Sequence, residues 1–135
     1  MANFDKVRIN QLSDQGLAWF AEVLRVIETL DVVDAYVALM APDIRLVMDN
    51  GALTLEGHDA VRTALAQGWQ QLTGIVHDEL NLYGTDHQFV HEATNTFTFA
   101  DGTNTTVAST VWIDRDEHGR LAGARIYNAP QALRA

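Results

Sequence analysis

The chain has 135 residues, of which 18 are acidic and 9 are basic, so its formal net charge is −9. This balance argues against a nucleic-acid partner, because phosphate binding needs a basic surface. The sequence has no cysteine and no apolar run near the roughly 20 residues that span a bilayer, so we expect a cytoplasmic protein without a membrane partner, disulfides or thiolate metal sites. The length suits one domain over residues 1–135.

The first half of the chain carries three helical patterns. Ser13 or Asp14 can cap a helix over residues 12–30, and further helices are predicted over Asp31–Met40 and Asp59–Leu72. Between the last two, residues 43–56 alternate around Asn50-Gly51 and predict a hairpin. The first helix has an apolar stripe at spacings of three and four: Leu17, Phe20, Leu24 and Ile27.

Residues 74–128 predict a sheet. Four alternating segments are separated by residues with turn chemistry at Thr85-Asp86, Asp101-Gly102 and Glu117-His118-Gly119. Strands joined by such short turns form an antiparallel meander. Helices first and a sheet last indicate an α+β fold, in which a twisted sheet that curls around a helix encloses a conical cavity.

The chain resembles the NTF2-like superfamily, specifically its SnoaL-like and ketosteroid-isomerase-like branch. The segments that carry the resemblance are LDVVDAYVALMAPDIRLVMDNG, LEGHDAVRTAL, VHDELNLYGTDHQFVHEATNTFTFADGT and DEHGRLAGARIYNAPQAL, and together they cover about residues 15–133. The resemblance implies a cystatin/NTF2-like cone with three N-terminal helices in a strongly curved, mostly antiparallel sheet, a deep pocket and a homodimer. Because the superfamily contains polyketide cyclases, isomerases, epoxide hydrolases, dehydratases and proteins without activity, the pocket must decide the function.

Carried over residue by residue, the acids of the family's catalytic sites are missing. The isomerase positions for the general base, the tyrosine and the oxyanion acid fall on Met48, Leu24 and Thr110. The cyclase histidine also falls on Thr110, and its aspartate falls on Ile126. The carboxylate near the end of many SnoaL-like relatives is Asn128 here.

The strand parity that the resemblance implies places His77, Glu92 and Asn128 in the pocket as candidate catalytic residues. His77 would act as the base, Glu92 would orient its imidazole from the neighbouring strand, and Asn128 with Thr110 would donate to an enolate oxygen. The alternatives are a structural His–Glu hydrogen bond, or a parity one residue off that turns Glu92 to solvent. The predicted ligand-binding residues are Met48, Trp69, Thr94, Thr110, Trp112 and Ile126.

The other histidines and the phenylalanines suggest what lies outside the pocket. His58, His87, His91 and His118 are interpreted as turn or surface residues, and His77 and His91 are expected on opposite faces, which argues against a metal site. The same parity turns four apolar residues outward, against a second subunit of a homodimer. These residues are Phe89, Ala93, Phe97 and Phe99.

Two functions follow from these patterns. The first is a cofactor-independent proton-transfer enzyme, of the isomerase, cyclase or dehydratase type, that acts on a small apolar carbonyl compound. The second is a non-catalytic ligand-binding or dimerisation module with the same pocket. No cofactor is expected, because the sequence has neither a phosphate-binding glycine loop nor a dinucleotide fingerprint.

Overall fold

A curled, unclosed mixed sheet forms most of the structure, a computed structural model that describes residues 2–5 and 8–129, with the backbone alone at residues 8–10 and at Glu79. The strand order is β1-β4-β5-β6-β7-β2-β3. Two α-helices and one π-helical turn pack against it, so the predicted α+β cone is confirmed. The strands are β1 (Arg8–Asn10), β2 (Met40–Met48), β3 (Leu53–Glu56), β4 (Leu72–Gly84), β5 (Gln88–Phe99), β6 (Asn104–Arg115) and β7 (Leu121–Asn128).

The first helix, α1 (Asp14–Glu28), begins where the sequence indicates. The Ser13 hydroxyl accepts a hydrogen bond from the Gly16 N–H at 3.1 Å and donates to the Asp86 carboxylate, while the Ser13 N–H donates to the same carboxylate at 2.8 Å. This contact joins the start of α1 to the turn between β4 and β5. On the apolar stripe, the Phe20 ring meets the Phe89 ring of β5 edge-on at 5.0 Å.

The other two helices are shorter than predicted. Asp31 caps only a π-helical turn, Val32–Tyr36, and β2 begins at Met40 within the predicted helix. Pro42 lies in β2, at the register shift between Met40 and Arg45 where a missing N–H costs no ladder hydrogen bond. The last helix, α2 (His58–Trp69), ends before Leu72 because β4 starts there and continues through Gly74.

The predicted meander is present in the structure. β4, β5, β6 and β7 pair antiparallel in sequence order. The sheet is extended at both sides by parallel pairs that the sequence did not indicate, β1 with β4 and β7 with β2. β2 and β3 form the predicted hairpin around a 3₁₀ turn, Asp49–Gly51, in which all three residues have positive φ.

The two central strands have the opposite parity to the one predicted. In β5, Phe89, Ala93 and Phe97 face the helices, whereas Glu92 and the alternate threonines face outward. The prediction that these phenylalanines meet a second subunit is therefore wrong, because the apolar set of the strand fills the concave side. The side chain of Glu79, predicted to point inward, lies outside the described part of the chain.

Candidate functional site

A cavity of about 160 Å³ lies between the helices and the concave face of the sheet. Its walls are mostly apolar, with Leu24 from α1, Leu65 from α2 and Ile75 from β4. Its partly exposed lining residues mark the side that meets solvent: Ile27, Met48, Trp69, Phe97, Val111, Ile126 and Asn128.

A buried carboxylate orients one imidazole of the cavity. Glu28, the last residue of α1, has a side chain only 6% exposed, and its Oε2 lies 3.4 Å from Nδ1 of His77 and 3.1 Å from the His77 backbone N–H. Burial alone would raise the pKa of Glu28, but the hydrogen bonds from His77 outweigh it and hold that pKa below its ordinary value. Because an ionised carboxylate only accepts, Nδ1 carries the hydrogen in this contact.

A second imidazole lies close to the first. His91 of β5 is 3% exposed, and its ring centroid is 6.1 Å from that of His77 and 4.9 Å from that of Phe20. Burial, and then the proximity of His77, lowers the pKa of His91 to about 3, so the ring is neutral at neutral pH. Neither nitrogen of His91 has a hydrogen-bond partner among the described residues.

Two further polar side chains in the cavity lack partners. Asn95 is 7% exposed and Ser109 is 5% exposed, and neither the Asn95 Oδ1 nor the Ser109 Oγ accepts or donates a hydrogen bond within the described residues. In the sheet register, Ser109 lies opposite Ala93, the small residue between His91 and Asn95. The three polar side chains therefore surround the short side chain of Ala93.

Two stacked rings line the cavity opposite the sheet. The rings of Tyr36 and Trp69 are nearly parallel, 7° apart in plane and 6.1 Å between centroids. Burial raises the pKa of Tyr36 to about 12, so its hydroxyl stays protonated and can donate. Asn128 is placed at the mouth by its backbone, whose N–H donates to the Asn50 side chain at 2.8 Å.

The structure brings together only part of the predicted site. His77, Asn128, Met48, Trp69 and Ile126 line the cavity. The predicted pocket positions on the two central strands are wrong, because they lie on the outer face: Glu92, Thr94, Thr110 and Trp112.

The predicted contact between His77 and Glu92 is also wrong. In the register of β4 and β5, His77 pairs with Asn95, whereas the exposed Glu92 pairs with Asn81. A shift of one residue moves every side chain of a strand to the other face, so the acid that reaches His77 comes from α1 instead.

The sequence interpretation missed both Glu28 and His91. His91 is buried rather than on the surface, and it converges with His77 rather than opposing it. A signal for Glu28 was available, because it follows Leu24 by four residues and so continues the apolar stripe of α1 with an acid. A signal for His91 was the alternation of Phe89, His91 and Ala93 on one face.

The part of the chain that the structure describes has neither a metal-ligand cluster nor a membrane-spanning helix. No group of three or more histidine, aspartate or glutamate side chains in residues 2–5 and 8–129 is arranged to hold a metal ion. Within the same residues, neither α1 nor α2 combines the length and hydropathy of a membrane-spanning helix.

Solved structures share this architecture at low sequence identity. A provisionally named SnoaL-like polyketide cyclase from Shewanella denitrificans OS-217 superposes with a TM-score of 0.77 at 7% identity, over 87% of this chain and 92% of that one. An NTF2-like protein of unknown function from Burkholderia pseudomallei K96243 gives 0.68 at 17% identity, over 87% and 92%. SalBIII, an epoxide hydrolase/cyclase-like enzyme in pyran ring formation in the polyether salinomycin, gives 0.71 at 16%, over 85% and 91%.

At these identities the structural likeness shows the fold alone. No curated protein matches the chain. The family model of the SnoaL-like domain matches residues 20–124, which include the second part of α1 from Phe20 onward, the cavity-lining strands β2 and β4–β6 and most of the core. The chain therefore belongs to the SnoaL-like family of the NTF2-like superfamily.

Proposed function

We propose that the protein is a cofactor-independent enzyme that moves a proton on a small, uncharged carbonyl compound, with His77 as the general base. The observation that supports this proposal is the contact between the buried carboxylate of Glu28 and Nδ1 of His77, at the wall of a mostly apolar cavity. An imidazole is the side chain whose ordinary pKa suits proton transfer near neutral pH.

Nε2 of His77 would take the proton from the carbon next to the substrate carbonyl. The electron pair of the broken C–H bond then delocalises onto the carbonyl oxygen, which needs a hydrogen-bond donor as its charge develops. The Tyr36 hydroxyl and the Asn128 amide line the same cavity and can supply one. Thr110, the donor expected from the sequence, lies on the outer face.

The fate of the enolate decides the type of reaction. Return of the proton from His77 to a different carbon gives an isomerisation, attack of the enolate on a second carbonyl gives an aldol cyclisation, and loss of a β-hydroxyl as water gives a dehydration. In each case His77 is restored to its starting protonation state, and Glu28 stays ionised while it stabilises the transient imidazolium.

A direct test follows the exchange of α-hydrogens of small cyclic ketones in D₂O by NMR. We expect the wild type to accelerate exchange and His77→Gln to lose about 10²- to 10⁴-fold of the acceleration. His87→Gln is the matched control, since His87 is exposed in the turn after β4 and should behave as the wild type. Equal rates for wild type and His77→Gln would contradict the proposal.

A non-catalytic ligand-binding module is the second candidate. It is favoured by the cavity lining, which contains no aspartate or glutamate side chain among the described residues, and by the unpartnered polar side chains, which suit the retention of a ligand. A compound that co-purifies with the protein, and that the wild type returns unchanged from a panel of enones, epoxides and hydroxy ketones, would support this function over the enzyme.

We also propose a homodimer formed through the outer face of the meander. Tyr83, Trp112 and Tyr127 lie there with more than a third of each side chain exposed, and Trp112 reaches 40%. Exposed aromatic residues grouped on one face are typical of an interface, and a sheet face can meet its own copy across a twofold axis. The aromatic residues are thus different from those that the sequence interpretation assigned to the interface.

A further inference from the structure

We propose that His91, Asn95 and Ser109 form an anchor subsite that binds a hydroxyl group of an uncharged ligand about the size of one substituted ring. This inference rests on the proposed function only in taking the cavity as the ligand site. It goes beyond that function because it assigns a binding role to three residues that take no part in the proton transfer, and it narrows the substrate class to hydroxylated carbonyl compounds.

Leaving these three groups unpaired costs free energy of folding. A buried polar group without a hydrogen bond destabilises a fold by about 1–3 kcal/mol, and nearly all such groups in proteins have a partner. Here three neighbouring side chains, each more than nine-tenths buried, lack partners among the described residues and line one cavity. Their clustering indicates that the partner is something that enters the cavity.

The three side chains offer both hydrogen-bond donors and hydrogen-bond acceptors. The carboxamide of Asn95 presents one donor and one acceptor edge, whichever way the amide is oriented. The Ser109 hydroxyl can do either, and a neutral His91 has one nitrogen of each kind. A ligand hydroxyl both donates and accepts and so matches this set, whereas a carbonyl or an ether oxygen would leave the acceptor atoms unpaired.

The cavity lining carries no positive charge. No lysine or arginine of the described chain lines the cavity, and the Glu28 carboxylate lies behind His77. The low pKa of His91 means that this imidazole does not supply a positive charge either. A carboxylate or phosphate on the ligand would lose its hydration without gaining a counter-charge, so the cavity selects against anions.

The distance between the two imidazoles and the volume of the cavity both fit one small ring. The centroids of His77 and His91 are 6.1 Å apart, too far for a direct hydrogen bond between the rings but close enough for one small ligand to contact both. A cavity of about 150 Å³ holds a benzene-sized ligand, and this one is about 160 Å³. A ring whose hydroxyl is held at the subsite therefore presents its other atoms to Nε2 of His77.

Binding of three small probes tests the subsite without any turnover. Phenol carries a neutral hydroxyl, toluene replaces it with a methyl group, and benzoate carries an anion on the same ring. The ratio of the toluene and phenol dissociation constants, measured by NMR titration, gives the hydroxyl preference of each variant. We expect this preference to fall roughly tenfold in Asn95→Leu and in Ser109→Ala, because each loses hydrogen bonds to the hydroxyl, and we expect benzoate not to bind.

The matched control is Thr110→Val, a change of hydroxyl to methyl at the residue after Ser109 but on the outer face. It should leave the hydroxyl preference unchanged. The second readout is the melting temperature without ligand. Replacing an unpaired buried polar group with an apolar one is neutral or stabilising, so Asn95→Leu and Ser109→Ala should keep or raise Tm while they lose the preference.

The results separate this inference from the proposed function. An unchanged hydroxyl preference in both variants, or a preference for benzoate, would overturn the subsite even if ketone exchange still depended on His77. A lowered Tm with an unchanged preference would assign the three residues to the fold alone. Conversely, a preference that depends on Asn95 and Ser109 supports the subsite even if no ketone exchanges and the proton-transfer proposal fails.

Discussion

The two faces of β5 differ in whether their polar side chains are buried without partners or exposed to solvent. On the concave face, His91 and Asn95 are buried in a cavity and have unpaired polar atoms. On the outer face, Glu92 is exposed, and the Thr96 hydroxyl contacts that of Thr106 on β6 at 3.0 Å. A polar side chain that water can reach keeps its hydrogen bonds in the folded protein, so it gives no sign of a ligand. A buried polar side chain without a partner destabilises the fold, so it indicates that a ligand supplies the missing hydrogen bond.

The largest effect on the rate of ketone hydrogen exchange should come from replacing Glu28 with glutamine. The same replacement at Glu92, on the outer face, is its control. Glu28→Gln removes the charge that orients His77, and we expect the rate of ketone hydrogen exchange to fall about 10²-fold or more. Glu92→Gln, the acid that the sequence interpretation paired with His77, should leave the rate unchanged, because Glu92 lies on the outer face opposite Asn81 and Thr110. NMR exchange rates for both variants provide the measurement.

The amount of folded protein separates two explanations of such a loss. Glu28→Gln should lower the exchange rate of each folded molecule, whereas a role in folding alone would lower the amount of folded protein without changing that rate. A large loss in Glu92→Gln with little loss in Glu28→Gln would reverse the assignment of the two faces.

Most of the fold could be predicted from local signals. The stripe of α1, the cap at Ser13 and the turns of the meander depend on nearby residues, and each is present in the structure. The parallel pairs of β1 with β4 and of β7 with β2 could not be predicted in this way, because they join segments that are far apart in sequence and share no turn. The register shift that accommodates Pro42 has the same long-range origin.

The candidate site was predicted less well because it depends on strand parity. β5 and β6 alternate on both faces, with threonines on one and a mixture of apolar and polar residues on the other. Parity taken from the family resemblance placed the threonines inside, although Phe89, Ala93, Val107 and Ile113 on the opposite parity gave a clearer apolar face. His77, Ile126 and Asn128 were placed correctly because β4 and β7 were assigned the right parity.

The second largest effect is expected on the affinity of the dimer, from the aromatic residues of the outer face. If a second copy covers that face, Trp112→Asp should weaken the dimer about a hundredfold or more, because truncation of a central tryptophan commonly costs several kcal/mol of binding. Light scattering after size exclusion should give twice the 14.9 kDa chain mass for the wild type and the chain mass for the variant. Val33→Asp, at an exposed apolar residue of the π-helical turn, is the matched control.

The burial of His91 predicts that the free energy of unfolding depends on pH. The pKa of His91 is about 3 when folded and 6.5 when unfolded, so below pH 6.5 the unfolded chain binds a proton that the folded chain does not. The free energy of unfolding should then fall with a slope that approaches about 1.4 kcal/mol per pH unit between about pH 6 and pH 5, before carboxylates begin to titrate. Urea unfolding at a series of pH values should show this slope in the wild type and its loss in His91→Leu.

The exposed His87 provides the control for that slope. His87→Gln should leave the pH dependence as in the wild type, because this change is confined to an exposed turn. If His91→Leu kept the full slope, the loss of stability would arise from another group, and His91 would have to accept a proton in the folded protein.

The smallest effect should come from two neighbouring residues of β5. Thr96→Val removes the hydroxyl contact with Thr106 on the outer face, and we expect a loss of less than about 0.5 kcal/mol, because a cross-strand pair in reach of water contributes little. Asn95→Leu, one residue earlier, should leave the free energy of unfolding equal or higher, since the buried Oδ1 of Asn95 has no partner to lose among the described residues. Urea unfolding measures both changes. A loss of several kcal/mol in Asn95→Leu would mean that the inner face satisfies its own polar groups, and the contrast between the faces would disappear.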